Sequence, residues 1–205
     1  MALTRLGPNQ AVNLSTNTTG TLGVANGGTG LTSGTTDQIL KFTGSTTLSS
    51  AAEAAGGKLL QTQTALFTSS SAHNSETYTA SNYTDQITPS ATNSKIFVCF
   101  NLRSHIYQAS GSSVRSQLAI YRQINGGGFS EFYPANAGIS WGIGVSSGER
   151  TFYNTPQITF MDTTHNTTNA IDYTLYARRN TSSTGSVNVG GSSVQAQVIL
   201  MEIGA

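Results

Sequence analysis

The chain has 205 residues, only 9% of them charged, and a formal net charge of +1 at pH 7. Ordinary soluble domains carry about 25% charged residues, so the polar surface here must consist mostly of hydroxyl and amide groups. The near-neutral charge argues against nucleic-acid binding, and no apolar run is long enough to predict insertion into a membrane.

Residues 1–57 are rich in Gly, Thr, Ser and Asn and contain only short apolar clusters. The clusters are too short to close a core, but a flexible linker would not need them. We therefore expect residues 1–57 to form an extended attachment arm that is ordered by contacts with other proteins of a larger assembly. The apolar residues expected to make these contacts are Leu3, Leu6, Val12, Leu14, Leu22 and Val24.

A short helix is predicted near residues 50–55, at the junction of the arm with the rest of the chain. Ser50 is followed three residues later by Glu53, which is the spacing of a capping box. Alanines at 51, 52, 54 and 55 favour helix, and the glycines at 56 and 57 would end it.

Residues 58–205 have the period-two pattern of β-strands. In the clearest strand, 95–107, Ile96, Val98 and Phe100 share one face, while Phe97 and Cys99 on the other indicate partial cover by another sheet or subunit. Further strands are predicted at 59–67, 76–80, 114–124, 129–133, 139–145, 150–153, 157–161, 170–178, 186–189 and 193–203. About ten short strands without alternating helices predict an all-β fold, a jelly-roll-like β-sandwich, rather than an α/β enzyme scaffold. A single cysteine excludes an intrachain disulfide.

Two parts of the sequence resemble known phage proteins. Residues 24–30, VANGGTG, resemble an element common in bacteriophage tail fibres, and residues 37–45 resemble the segment that often follows it. Residues 87–96 and the closing Leu200-Met201-Glu202-Ile203 are similar to a C-terminal domain of many marine phage proteins. The resemblance implies a homotrimer with a jelly-roll-like knob at 58–205, located in the virion. Because the N-terminus lacks the apolar stretch of a secretory signal, we expect assembly in the host cytoplasm. The resemblance implies no particular receptor-binding residues.

Aromatic side chains near predicted turns are the candidates for binding a host receptor or glycan. Exposed rings can stack on sugars, and aromatic residues dominate many protein contacts. The alternative for each ring is packing in the core or at the trimer axis. The candidates are Tyr107, Phe129, Phe132, Tyr133, Trp141 and Tyr153, with the 129–141 region expected to be exposed.

The sequence predicts no catalytic residues, cofactor or metal site. The glycines at 27–30 lack the lysine of a phosphate-binding loop, and His73, His105 and His165 are too far apart in sequence to predict a metal site. Glu131 and Glu149 could meet across a hairpin as a glycosidase pair, but turn or salt-bridge roles are favoured.

The favoured hypothesis is a structural virion protein, a short trimeric tail fibre whose knob attaches to the host and whose arm binds other virion proteins. The first alternative is a capsid decoration protein or head fibre. A glycan-degrading spike is a lesser alternative, and a secreted lectin would want a signal peptide, which the N-terminus does not show.

Overall fold

The computed structural model describes Thr29, Leu31 and residues 34–45, 47–52, 57–108, 113–133, 139–144, 148–179, 185–190 and 196–205. This part of the chain forms fifteen β-strands and contains no helix, so none that could cross a bilayer. The chain divides into two compact units, Met1–Ala54 and Ala55–Ala205. The predicted all-β class is confirmed.

The described part of the first unit is built around a β-hairpin, in which β1 (Ile39–Gly44) pairs antiparallel with β2 (Thr47–Ala51). Its large apolar side chains Ile39, Leu40 and Phe42 are exposed, Phe42 by 64%. A two-stranded hairpin is at best marginally stable by itself in water. These side chains are therefore available for contact with another protein.

The prediction of a helix near residues 50–55 is wrong at its start. Ser50 lies in β2 opposite Leu40, and its backbone belongs to the hairpin ladder. Its hydroxyl is used elsewhere, because it accepts from the Thr35 amide and donates to Gln38. Residues 53–56 lie outside the described residues.

The second unit is a sandwich of two antiparallel sheets. Its strands are β3 (Leu59–Phe67), β4 (Ser70–His73), β5 (Thr79–Ile87), β6 (Lys95–Asn101), β7 (Ser104–Gln108), β8 (Ser113–Ile124), β9 (Ser130–Tyr133), β10 (Ile139–Gly144), β11 (Arg150–Asn154), β12 (Gln157–Asp162), β13 (Ile171–Arg179), β14 (Gly185–Gly190) and β15 (Ala196–Ile203).

The first sheet is a four-stranded sheet that bends halfway along its strands. One half has the order β12-β6-β15-β3 and the other half the order β11-β7-β14-β4. Each strand of one half continues in sequence into the matching strand of the other, so the same four chain segments lie side by side throughout. The second sheet has the order β5-β13-β8, and β9 and β10 follow one another along the remaining edge of β8.

Along the chain, the strands alternate between the first and second sheets, except that β9 and β10 follow β8 within the second sheet. This alternation, with two four-stranded antiparallel sheets, is the topology of a jelly roll. The main core lies between the sheets: Val98, Phe100 and Leu200 come from the first, Leu118 and Leu175 from the second. Packing of alternating inward side chains explains why the period-two pattern is so clear in the sequence.

Two predicted strands differ from the structure. The prediction at 95–107 is divided into β6 and β7, although its inward residues Ile96 and Phe100 are buried as expected. The prediction at 76–80 is wrong for its first part, because β5 begins at Thr79 and continues to Ile87. The preceding residues form a turn, in which the Thr77 amide donates to the Ser75 hydroxyl.

Candidate binding site

The bend of the first sheet creates an open, concave site on the surface of the second unit. At the bend the amide of Leu102 donates to the carbonyl oxygen of Pro156, at 3.0 Å, instead of continuing the ladder. On the other side of the same segment, the amide of Gly190 donates to the carbonyl oxygen of Arg103, at 2.6 Å. Proline offers no amide hydrogen, which suits it to a break in a sheet. The backbone of Arg103 is thus fixed from both sides.

The cleft at this bend has a volume of about 300 Å³ and is lined by Arg103, Tyr153, Asn154 and Thr155. The ring of Tyr153 is 59% exposed. The guanidinium carbon of Arg103 lies 5.1 Å from the centroid of this ring, within cation–π range. His105 lies directly opposite Tyr153 on the neighbouring strand β7, and 5.5 Å separates the centroids of the two rings. The site therefore combines the exposed ring of Tyr153 with the positively charged side chain of Arg103.

The electrostatics of the cleft are set by Arg103. Burial lowers the pKa of His105 and the charge of Arg103 lowers it further, so His105 is neutral at pH 7. In the described part of the chain no carboxylate is placed beside the Arg103 guanidinium, which contacts a ring instead. Tyr107 lies two residues after His105 on β7, and a hydrogen bond with the acidic side chain of Glu149 raises the pKa of Tyr107. The arginine end of the site is positive.

Three of the predicted binding aromatics pack against the core with part of each ring exposed. Phe132, Tyr133 and Trp141 are partly buried and pack against the main core. A β-bulge in β9, opposite Ile120 and Tyr121, adds one residue to the strand and lets both neighbouring rings reach the core. These side chains are only partly exposed, and their role in binding stays a prediction. Residues 134–138 lie outside the described residues.

The remaining predicted aromatics lie on outer faces of the sandwich. Phe129 is 37% exposed and its ring lies 6.1 Å from that of Tyr176. Tyr176 in turn stacks on Tyr121 at 3.8 Å, so Phe129 belongs to an aromatic cluster on the second sheet. Tyr107 is half-buried on β7, and Tyr153 forms the cleft. The structure brings Tyr107 and Tyr153 to the same half of the first sheet but leaves Phe129 on the other sheet.

The attachment residues predicted in the arm cannot be placed in the structure. Leu3, Leu6, Val12, Leu14, Leu22 and Val24 all lie outside the described residues, as does most of the VANGGTG element.

The titratable residues weighed for catalysis have separate surroundings. Burial raises the pKa of Tyr78, just before β5, and that of Tyr121 in β8, and the charge of Glu131 raises both further. Glu149 is instead hydrogen-bonded to Tyr107 in the first sheet. Over the described ranges no three His, Cys, Asp or Glu side chains gather as a metal site. His165 is a structural residue, because its ring nitrogens lie 2.7 Å from the Ser94 carbonyl oxygen and 3.0 Å from that of Thr167.

No protein-family model and no curated protein sequence matches the chain. Among solved structures, the chain is similar to that of the infectious bursal disease virus Gx strain, with 11% identity, a TM-score of 0.33 and coverage of 82% of this chain and 41% of that one. T=1 particles derived from infectious bursal virus match with 11% identity, a TM-score of 0.36 and the same coverages. The chain thus spans about two fifths of the length of these structures. At such TM-scores the likeness carries no argument of its own, and the fold assignment rests on the strand order.

Sequence reasoning identified Tyr153 but missed Arg103, Asn154 and Thr155 as its partners. The period-two pattern puts Arg103 on the face opposite Phe100, but nothing in that pattern marks it as part of a cleft. The available signal was Pro156, directly after Asn154 and Thr155, which interrupts two strand patterns and indicates a break in the ladder. Its partner segment at Leu102 and Arg103 carries no such mark.

Proposed function

We propose that the chain is a non-enzymatic structural protein of a virus particle, a short trimeric bacteriophage fibre whose knob attaches to the host. Jelly rolls serve as viral capsid domains and as lectin domains, so the topology allows this function without selecting it. One fold hosts many functions, so the function depends on the surfaces that the fold presents. The surface that carries the proposal is the outer face of the first sheet.

The outer face of the β12-β6-β15-β3 half is uncharged and partly apolar. One row across the strands consists of Met161, Phe97, Met201 and Thr62, and the next of Thr159, Cys99, Ile199 and Thr64. A third row adds Leu66, which is 60% exposed, beside three amide side chains. No charged residue occurs in these three rows; Lys95 stands beyond their end, opposite Ile203.

A second copy of the same chain is the occupant that this face fits best. A closed trimer joins two different patches of each copy. A face without charges can be buried against another part of the same chain without like-charge repulsion or an unpaired buried charge. Four strands and three rows cover roughly 400 Å² from standard strand spacings. Half of the side chains on this area are apolar, and exposed apolar groups gathered on one face often mark a protein contact. Contact with neighbouring copies would bury Met161 and Leu66 and would multiply weak receptor contacts.

The hairpin of the first unit supports a role in assembly for the arm. Ile39, Leu40 and Phe42 are exposed on a two-stranded element that cannot cover them itself. Burying a side chain of this kind contributes about 1.5–3 kcal/mol. Binding to a virion protein would supply that burial, and we propose that the arm attaches the knob in this way.

A charge placed in the proposed contact face tests the assembly. Met161→Lys should raise the dissociation constant of the trimer at least about tenfold, because a lysine would have to be desolvated at the contact. Gln86→Lys is the matched control, since Gln86 is exposed on the opposite sheet, bonded to Asp172. Sedimentation of both variants provides the readout. A trimer that survives Met161→Lys but not Gln86→Lys would move the contact to the other sheet.

The virion location has its own test. Gradient-purified particles should contain peptides of this chain after protease digestion, at a copy number divisible by three. Their absence from particles, with the protein abundant in the infected-cell lysate, would contradict the proposal. If antibodies against this chain label the capsid of the particles rather than the tail, the decoration-protein alternative is favoured.

A further inference from the structure

The cleft at the bend contains the guanidinium group of Arg103, which has no carboxylate partner among the described residues. Arg103 is half-buried, its backbone is fixed by Gly190, and its guanidinium contacts the ring of Tyr153. No carboxylate of the described residues neutralises it. A guanidinium presents a planar fork of N–H donors that matches a planar carboxylate with two parallel hydrogen bonds. The partner that this group lacks is therefore an anion, supplied from outside.

The other groups of the cleft are those that recognise a sugar. The exposed face of Tyr153 gives a flat apolar surface against which the C–H face of a pyranose ring can pack. Asn154 and Thr155 follow directly on the same rim, and they offer an amide and a hydroxyl to ring hydroxyl groups. The oxygen of the Asn154 side chain already accepts from the Thr155 amide, at 2.9 Å, which holds the side chain in place and leaves its NH₂ group to donate.

We propose that the cleft formed by Arg103, Tyr153, Asn154 and Thr155 binds a carboxylated sugar residue, such as a hexuronic acid, of a surface polysaccharide. Arg103 pairs with the carboxylate, Tyr153 packs on the ring, and Asn154 and Thr155 bond the hydroxyls. This inference rests on the proposed attachment function, for which it names the class of receptor.

A monovalent contact of this kind is weak, since one sugar residue offers one ion pair and one ring contact. Three copies on one particle fibre would bind a repeating acidic polysaccharide with higher avidity. The attraction should weaken with salt, because the cleft is open to solvent.

The test uses the full-length protein and a galacturonic acid tetramer as the probe, in calorimetric titration at low salt. Arg103→Gln and Tyr153→Ala should each weaken binding at least about tenfold. Arg103→Lys keeps the charge but loses the fork and should also weaken binding. Arg115→Gln, which removes an exposed arginine from the second sheet, should change it by less than about twofold. Thermal unfolding of each variant checks that it is folded.

Three further probes separate the sources of binding. The carboxyl-reduced tetramer should bind at least about tenfold more weakly than the acid form. A sulfated neutral tetramer and a tetraglutamate peptide should also bind more weakly, because one lacks the planar anion and the other lacks the sugar ring. Equal binding of the reduced form, or of tetraglutamate, overturns the proposal, as does binding that Arg103→Gln leaves unchanged.

The outcomes also separate this inference from the proposed function. A trimer found in virus particles that binds none of the probes overturns the carboxylated-sugar site and leaves the structural role standing. A monomer absent from particles that binds the acid tetramer through Arg103 overturns the structural role and leaves the site standing.

Discussion

Asp162 joins the two sheets at the open end of the core. Its carboxylate accepts from Arg122 Nη1 at 2.7 Å and from the Tyr173 hydroxyl at 2.6 Å, and also from the Thr164 amide. Burial alone would raise the pKa of Asp162, but these hydrogen bonds and the arginine charge outweigh burial and hold it below its ordinary value. Burial and the neighbouring carboxylate raise the pKa of Tyr173. The ion pair connects β12 in the first sheet to β8 and β13 in the second.

Replacing Asp162 by asparagine should reduce the free energy of unfolding by about 3 kcal/mol, because a largely buried arginine would lose its counter-charge. Urea denaturation of wild type and variant measures the difference. Asp172→Asn is the matched control, since Asp172 makes a solvent-exposed hydrogen bond with Gln86 and should change stability by less than about 1 kcal/mol. Equal effects of the two substitutions would contradict a role for Asp162 in joining the sheets.

We expect Glu202 to make the stability of the protein depend on pH in the acid range. Burial alone would raise its pKa, but hydrogen bonds from Ser94, Gln61 and Ser90 outweigh burial and hold it below the ordinary 4.5. A carboxyl group with a lowered folded-state pKa contributes stability that is complete above its unfolded pKa and is lost as pH falls through the folded pKa. Asp162, whose pKa is also lowered, adds to this loss of stability as the pH falls below 3.8. Asp85, whose pKa is raised by burial, changes stability in the opposite direction.

Stability should therefore fall as pH drops below about 4.5, and Glu202→Gln should reduce the loss measured between about pH 6 and pH 3. Urea denaturation at both pH values gives the two losses. Glu76→Gln, at an exposed position before β5, serves as the control and should keep the wild-type loss. An unchanged loss in Glu202→Gln would show that its hydrogen bonds do not account for the acid sensitivity.

Neither carboxylate could be identified from the sequence. Glu202 ends an alternating strand and its inward position is predictable, but its donor Ser90 is 112 residues away. Asp162 similarly follows a clear strand, and its partner Arg122 is 40 residues distant. Period-two patterns predict the face on which a residue lies, but they do not predict which loop or strand meets it across the sandwich.

At the scale of elements, the bend of the first sheet depends on Gly190. This glycine has a φ of +83°, and a Cβ added to it would overlap the Tyr83 hydroxyl and lie 2.5 Å from the Ser69 carbonyl oxygen. The Tyr83 hydroxyl itself lies within hydrogen-bonding distance of the carbonyl oxygens of Ser69 and Val189. Only a residue without a side chain allows the strands to approach in this way.

Gly190→Ala should therefore cost about 3 kcal/mol or more in unfolding free energy, or prevent folding, because strain and overlap both act at one position. Gly128→Ala is the matched control: it has open space around it and should change stability by less than about 1 kcal/mol. Thermal and urea unfolding of both variants provide the measurement. A Gly190→Ala protein as stable as wild type would contradict the described geometry of the bend.

Element prediction succeeded where alternation was regular and failed where tertiary contacts decided. The strand predicted at 193–203 contains β15, in which buried and half-buried residues alternate strictly. The strands predicted at 59–67 and 114–124 also agree closely in their bounds with β3 and β8. The bend after Asn101 was missed because Leu102 and Ile106 continue the apolar pattern through it. The predicted helix failed because Ser50 bonds with Thr35 and Gln38 in a hairpin, which no local capping pattern reveals.

At the scale of the whole molecule, composition and strand spacing were enough to predict the jelly-roll-like sandwich. They could not predict which outer face is left uncovered, because that depends on how the two sheets pair. The apolar rows around Phe97 and Cys99 are the outcome of that pairing, and the sequence indicated them only as a second face in need of cover. The proposal that copies of the chain contact one another rests on these rows, and the number of three copies rests on the resemblance to phage fibres.

The most direct test is the mass in solution of the full-length chain and of residues 55–205, the second compact unit. Sedimentation equilibrium should give three times the chain mass for both, with 21.4 kDa per full-length chain. This result would mean that the knob carries the assembly and that the arm is available for attachment. Monomers in both cases would contradict the account, because the outer face of the first sheet would then be uncovered in the functional protein.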